Sequence, residues 1–532
     1  MGGVKLFSRG TGYTAGILMA ISTGMIRVAA LVLVSGLLLV AQRQLSLAGR
    51  LALGTAPQMP VKVYLFKDDK PFRLNPVEAI LPIKVDLFYR DRLWQASAQP
   101  KTLEVLAYDQ SHYFLLTGAA SFELPPGRYR VEASRGLFYR PVSASFELRA
   151  GETTKVDLKM DRWAEGEWLS GDDHIHLTRS VAENGVFLKW LEAEDLSVGN
   201  FLQLQRQMDA APQYAFGEAG EARSKGYAIR SGQESRSEPY GHIELLGGRE
   251  LVRPVSVGAM YANGPGAYPF PAVWFRRGRA VGALTGFAHF HGSMTHSTLP
   301  MDLALGNLDF LEVFQFGKLW TAEWYELLNA GFRVTGVAGS DFPVPLGRAL
   351  PWPRYMPLLG PERTLVKGGA GDSAWRAWAA GVKQGAVVVS NGPLVEVRVA
   401  GGRVKATASF FRPLERLAIV RNGKVMAEVR GDGRRERLEL EAPEEGGESA
   451  WYAAHAVGRR AEGEPEMQGH TNPVYVLREG KPVRAGGARE ALAARWEAEL
   501  TYYRGAQLPF AKEEERREFF AAGERALGIL RQ

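Results

Sequence analysis

The hydrophobic period of this chain changes twice, and a single-layer fold cannot accommodate both changes. From about Val61 to Lys159 apolar residues alternate with period two in VKVYL, PIKVDLFYR, GRYRVEAS, SASFEL and TTKVDLK. Half-buried strands have this pattern. Pro125-Pro126-Gly127 and Ala150-Gly151-Glu152 supply turns between them. From about Asp161 short apolar runs instead alternate with helical stretches such as VFLKWLEAEDL and TAEWYELLNAG, the second closed by a glycine suited to a helix C-terminus. After Asn391-Gly392-Pro393 the period of two returns in VEVRVAGGRVKATASF and LERLAIVRNGKVMAEVR, where Asn422-Gly423 marks a hairpin. The end of the chain, AREALAARWEAEL and EEERREFFAAGERALGIL, reads as amphipathic helices.

A multidomain α/β + β protein is therefore expected. Residues 1–56 would be a leader with linker, and 57–160 an N-terminal β-sandwich. Residues 161–395 would form an α/β layer or barrel, 396–480 a C-terminal β-sandwich and 481–532 a helical tail. The length of 532 residues suits several cores rather than one.

Composition removes several functions. With 46% hydrophobic and 23% charged residues the chain is ordinary globular protein. The net charge of +7 is scattered, without a Lys/Arg tract interleaved with aromatics, so no nucleic-acid partner is expected. Cysteine is absent, which excludes disulfides, thiolate nucleophiles and cysteine zinc sites. Any metal must be held by histidine and carboxylate.

Lys5, Arg9, Arg27, Arg43 and Arg50 precede the first acidic residue, Asp68. Arg27 stands directly before the apolar run Val28 to Ala41. That run is shorter than the ~20 residues of a membrane span and fits a secretory leader, with Ser46-Leu47-Ala48 as a cleavage site. Met25 is an alternative start, and Gly16 to Ala41 an alternative uncleaved membrane anchor. An extracytoplasmic location is expected.

Six of the nine histidines fall between residues 174 and 296. His174 and His176, two apart, share one face of a strand and can converge on one ion, with Asp172 placed to orient an imidazole from behind. YAIRSGQE ends in Glu234, and His242 follows in YGHIELLGG. Oxygen and nitrogen donors of this kind suit borderline divalent ions. GALTGFAHFHG ends in His289 and His291, DFLEVFQFG carries Glu312, and FRVTGVAGSD ends in Asp341. Polar, metal-competent residues thus recur where apolar strands stop, the end that lines the active site in α/β barrels. His112, His455 and His470 lie in the β regions and read as structural.

The ordered set GDDHIH, SGQESR, GHIELLGG, AHFHG, LEVFQFG and GSD resembles the polymerase-and-histidinol-phosphatase (PHP) superfamily of metallohydrolases. It looks closest to the carbaryl-hydrolase-type (CehA/McbA-like) branch. PPGRYRVEASRG, Arg162-Trp163, SNGPLVEV and HTNPVYV extend the resemblance over most of residues 100 to 480.

The resemblance implies a distorted PHP-type α/β barrel around a cluster of divalent ions. His174 and His176 match the first motif, Glu234 the metal-bridging glutamate, and His242 the imidazole after it. His289 matches the later histidine motif and Asp341 the terminal aspartate. Two ligands are missing. LSVGNFL, with Asn200, stands where a Thr-Asp-His motif belongs, and Phe342 replaces the histidine after the last aspartate. One or two ions of Zn, Mn or Fe are then expected rather than three.

The chemistry expected is hydrolysis of an ester, carbamate or phosphoester bond in a small-molecule or polymer substrate. Asp341 would accept the proton of water, and His291 or His296 would donate to the leaving group. Arg348 and Arg363 are candidate oxyanion or phosphate holders, against a plain surface role for each. The rival expectation is a metal-stabilised extracytoplasmic binding protein for polysaccharide or protein, without turnover.

Overall fold

The computed structural model of the chain describes residues 48–74, 94–96, 102–105, 113–206, 208–292, 294–344, 351–352, 354–355 and 358–532. The apolar leader, the PIKVDLFYR strand, His112 and Arg348 lie outside these residues.

The first period-two region forms two packed sheets. Thr153–Lys159, Gly49–Ala56 and Ala120–Leu124 make one. Val142–Leu148, Gly127–Ser134, Pro60–Lys67 and Tyr113–Thr117 lead the other. Inward residues of both, among them Leu51, Leu53, Val63, Phe114, Phe122, Val131 and Leu158, share one core. The strand Gly49–Ala56 lies ahead of the boundary expected at residue 57, because its inward Leu51 and Leu53 complete that core.

The central region is a ring of strands: β1 (Trp168–Ile175), β2 (Val198–Arg206), β3 (Tyr227–Ser237), β4 (Gly241–Leu246), β5 (Leu284–Phe287), β6 (Phe310–Gln315) and β7 (Thr335–Ala338). Neighbours pair in that order, parallel except on the two sides of β4. The ring closes where Ile175 bridges Phe342, just past β7, and His176 N donates to Phe342 O at 2.6 Å.

Helices α1 (Asn184–Ala193), α2 (Pro271–Ala280), α3 (Thr321–Asn329) and α4 (Ala374–Gln384) accompany the ring. Helix α4 starts at Ser373, whose side chain accepts from Arg376 N, and stops at Gly385 with φ 69°. Its Trp375, Trp378 and Val382 belong to one apolar cluster with residues from every ring strand: Leu169, Val198, Ala228, Leu246, Leu284, Phe310 and Val337. That end of the ring is sealed by hydrocarbon. Gly171 on β1 permits the seal, since a Cβ there would lie 2.2 Å from Trp378 Nε1.

β8 (Arg363–Lys367) pairs with β1, and β9 (Val387–Ser390) pairs with β8. β9 also pairs with Met467–Thr471 of the second period-two region. The ring and the C-terminal sandwich therefore share a continuous sheet across the boundary expected at residue 395. Leu394–Ala400, Arg403–Ser409 and Arg437–Pro443 form the facing sheet. The hairpin at Asn422-Gly423 forms as its sequence predicts, with φ of 45° and 80°.

The tail is two helices, α5 (Ala488–Gly505) and α6 (Glu513–Leu530), whose Trp496, Tyr503 and Phe519 are buried against Tyr240, Phe270, Leu299 and Met301. Among the described residues no helix is long and apolar enough to cross a membrane.

Candidate metal centre

Opposite the hydrocarbon seal the ring interior is polar. His174 and His176 leave β1 two residues apart, and their Nε2 atoms stand 2.9 Å from each other. Asp341 Oδ1 lies 3.4 Å from His174 Nε2 and 3.2 Å from His176 Nε2. Glu234 Oε2 lies 3.7 and 3.1 Å from the same two nitrogens. Glu234 Oε1 faces His242 Nδ1 at 3.0 Å and His289 Nε2 at 3.7 Å. The residues named from sequence as ligands thus converge. Within this set, His174, Glu234 and His289, and likewise His174, His176 and Asp341, can each offer donors to one ion.

The ring explains the convergence only in part through strand ends. His289 and Asp341 do lie just beyond their strands, two residues past Phe287 and three past Ala338, with φ of 50° each, a left-handed backbone uncommon outside glycine. Glu234 and Glu312, in contrast, sit within β3 and β6 rather than at their ends. His242 opens its strand. Because β4 runs against its neighbours, its first residues lie beside their last ones.

Two imidazoles are oriented from behind. His176 Nδ1 faces Leu202 O at 3.0 Å, and His289 Nδ1 faces Gln315 Oε1 at 2.7 Å. A carbonyl acceptor at Nδ1 leaves Nε2 free to coordinate. Gln315 in turn donates to Glu312 Oε1 at 2.9 Å, and Glu312 Oε2 accepts from His289 N at 2.6 Å.

Other residues singled out in the sequence have their own surroundings. Asp172 does not orient an imidazole. It accepts from the backbone of His174, Ser340 and Gly360 and from the Ser340 hydroxyl, tying strands together. Asn200 donates to Asp172 O and accepts from Trp375 Nε1, so it braces α4. Phe342 packs on Trp190 in the apolar layer under α1. Arg363 is buried, with Nε on Gly360 O and one terminal nitrogen on Asp195 O and Ser170 Oγ, while the other lies 3.9 Å from Glu194. His296 pairs with Glu499 at 3.0 Å and stacks on Tyr502, both on α5. His291 lies on the short helix His289–Gly292.

Three residues escaped the sequence reading. Glu244, two past His242 on one strand face, places Oε1 2.8 Å from His174 Nδ1. Arg236, two past Glu234, binds Glu234 Oε2 through Nε at 2.8 Å and through its terminal nitrogen at 2.7 Å. Asp173 is fully buried between the two residues that were noticed. The i, i+2 rule that linked His174 to His176 would have found the first two.

Burial opposes charge throughout, and the neighbours decide the outcome. Burial lowers the pKa of His174, but Asp341, Glu244 and Glu312 overcome it and hold the imidazole well above its usual value. Burial raises Asp341, yet the imidazoles of His174, His176 and His289 bring it below the usual carboxylate range. Glu234 is held low against burial by Arg236 and the histidines. His242 goes the other way, to about 4, because burial outweighs Glu234.

The donor set fits a divalent cation. Asp173, Glu234, Glu244, Glu312 and Asp341 are all buried together, and Arg236 is the permanent cation among them. Asp341 Oδ1, Glu234 Oε1 and His242 Nδ1 are buried without a hydrogen bond. Such atoms are costly unless something ligates them. Mixed imidazole and carboxylate donors match zinc, manganese or iron.

No protein-family model matches the chain, and no curated protein matches it. Among solved structures, one neighbour is the crystal structure of an Endonuclease Q complex with a 27-mer duplex bearing an abasic lesion at the active site. The two are 14% identical with a TM-score of 0.26, over 40% of this chain and 57% of that one. So loose a likeness transfers neither fold nor activity, and the centre stands on its own geometry.

Proposed function

We propose that this chain is a PHP-type, divalent-metal-dependent hydrolase. The observation that carries the reading is the meeting of His174 Nε2, His176 Nε2, Glu234 Oε2 and Asp341 Oδ1 at separations of 2.9 to 3.7 Å. His174, His176, Glu234, His242, His289 and Asp341 would hold one or two ions. A divalent ion bound there would lower the pKa of water toward about 7 and polarise the scissile oxygen.

The chain's own residues supply the rest. Gln315 fixes His289 in place, and Arg236 holds Glu234 Oε2. Asp341, with Oδ1 turned to the proposed ion, would accept the proton of water through Oδ2, which lies 3.9 Å from His289 Nε2. His291, beside His289, is the proposed donor to the leaving group, and Arg348 the proposed anion holder. His242 and His289, at 8% and 6% exposure, mark the side from which substrate would come. The motif order supports the carbaryl-hydrolase-type branch, with an ester, carbamate or phosphoester as substrate. Arg27 and the apolar run Val28 to Ala41 support export, with or without membrane anchoring.

A specific observation favours a second reading, a metal-stabilised binding protein. None of the six proposed ligands exceeds 8% exposure. A cleft of about 300 Å³, lined by Lys62, Tyr64, Arg354, Arg412 and Glu464, shares no residue with them. Metal analysis of the purified protein, paired with activated esters and phosphodiesters in Mn²⁺ or Zn²⁺, separates the two. Bound metal with turnover lost in His174→Ala and Asp341→Ala supports the hydrolase. Metal without turnover supports the binder, and a metal-free protein that takes up none sinks both.

A further inference from the structure

Behind His174, on the side away from His176, lies a second group of carboxylates that the proposed hydrolytic centre does not use. Asp173 and Glu244 are fully buried, and none of their four carboxylate oxygens has a hydrogen bond. Glu312 completes the group. Its Oε1 and Oε2 each lie 3.3 Å from His174 Nδ1. Glu244 Oε1 approaches the same nitrogen to 2.8 Å.

The chamber has a built floor. A Cβ on Gly339 would stand 2.1 Å from Asp173 Oδ1 and 2.9 Å from Glu312 Oε1, so both oxygens rest against one bare Cα. Only glycine admits them there. Glu234 pairs in register with Glu244 across β3 and β4, so the outer and inner groups are adjoining layers of one ring. The apolar residues around Trp375 and Trp378 close the chamber below.

A proton shared among these groups cannot satisfy four orphaned oxygens. Glu312 already takes His289 N and Gln315 Nε2, whereas Asp173 takes no donor and Glu244 has only the approach of His174 Nδ1. His174 Nδ1 contributes one proton at most and has three carboxylate oxygens around it. Buried carboxylate oxygens without donors are costly unless a cation ligates them, and protons alone leave acceptor oxygens here unpaired.

We propose that Asp173, Glu244 and Glu312 bind a second divalent cation, held by oxygen alone, beneath the histidine centre. Oxygen-only donors select Mg²⁺, Ca²⁺ or Mn²⁺ over Zn²⁺. The ion is structural. It fixes His174 from behind and links β1, β4 and β6, so it stabilises the fold by mass action when bound. The site goes beyond the hydrolase reading and stands whether or not the outer centre turns over substrate.

The experiment counts metal on chelator-stripped, full-length protein dialysed against Mn²⁺, in wild type, Asp173→Asn, Glu244→Gln and His176→Ala. Both inner variants are expected to hold one equivalent fewer than wild type, while His176→Ala keeps the inner ion. Zn²⁺-loaded wild type should take up a further equivalent of Ca²⁺ or Mg²⁺ and melt at a higher temperature. The proposal is overturned if the inner variants bind as much Mn²⁺ as wild type. It is equally overturned if Zn²⁺-loaded wild type takes up neither Ca²⁺ nor Mg²⁺, an arm that needs no variant to fold. Loss of an equivalent in the inner variants but not in His176→Ala would defeat the outer centre and leave the inner one standing.

Discussion

Asp172 and Ser340, 168 residues apart, are joined by two hydrogen bonds, Ser340 N to Oδ1 at 3.0 Å and Ser340 Oγ to Oδ2 at 2.6 Å. The same carboxylate takes His174 N and Gly360 N at 2.9 and 3.0 Å. One side chain therefore registers the segment bearing His174 against the one bearing Asp341. Asp172→Asn would present an amide N–H₂ to donors that need acceptors. The expected cost is on the order of 3 kcal/mol, read from urea midpoints, together with weaker metal retention in dialysis.

Arg236 competes with any ion for Glu234, since it holds Oε2 through two nitrogens. Arg236→Gln should lower the melting temperature of the stripped protein but raise affinity for Mn²⁺ about tenfold, ~1.4 kcal/mol. Competition against a chromophoric chelator measures it. Unchanged or weaker affinity would mean that Glu234 does not ligate.

Gly171→Ala tests the hydrocarbon seal. The new methyl would lie 2.2 Å from Trp378 Nε1, which donates to Thr364 O at 3.0 Å. A loss of about 3 kcal/mol or more is expected from overpacking. Near-UV circular dichroism should report a displaced tryptophan.

His455 and His470 give a pH dependence. Burial lowers them to about 4 and about 3, and His470 accepts from the Tyr325 hydroxyl as a neutral ring. The unfolded chain binds their protons first, near pH 6.5. Their contribution is therefore complete above pH 6.5 and is lost as pH falls toward 4, by up to about 1.4 kcal/mol per pH unit for each ring. Glu362 and Asp302, raised by burial to about 8 and about 7, act oppositely and lose their contribution as pH rises. Urea midpoints between pH 7 and pH 5 should fall less steeply in His470→Gln than in wild type.

His296→Ala should cost about 1 kcal/mol or less, because the ring is partly exposed and its partners Glu499 and Tyr502 are on α5. Metal content should not change. A drop would bring His296 back to the centre.

The sequence made the change of layer at Asp161 legible, because period two and period 3.6 bury different faces. It also revealed His174, His176, Glu234, His242, His289 and Asp341 as polar breaks in apolar runs. Glu244 and Arg236 are legible through strand alternation, being two residues past His242 and Glu234. Asp173 was hidden for a physical reason. Beside His174 on β1 it should face away from the centre, and its burial comes from the ring closing around it. Nothing local encodes the bridge from Ile175 to Phe342, or the pairing of β9 with Met467–Thr471, since both depend on partners far along the chain.

That last pairing has a consequence for how the molecule comes apart. A strand hydrogen-bonded on one side to β8 and on the other to Met467–Thr471 cannot release either neighbour without exposing its own edge. The ring that carries the candidate centre and the sandwich after it are then one cooperative unit, not beads on a string. A chain shortened at residue 395 would not be a trimmed enzyme but an open sheet, ready to pair with its own copies.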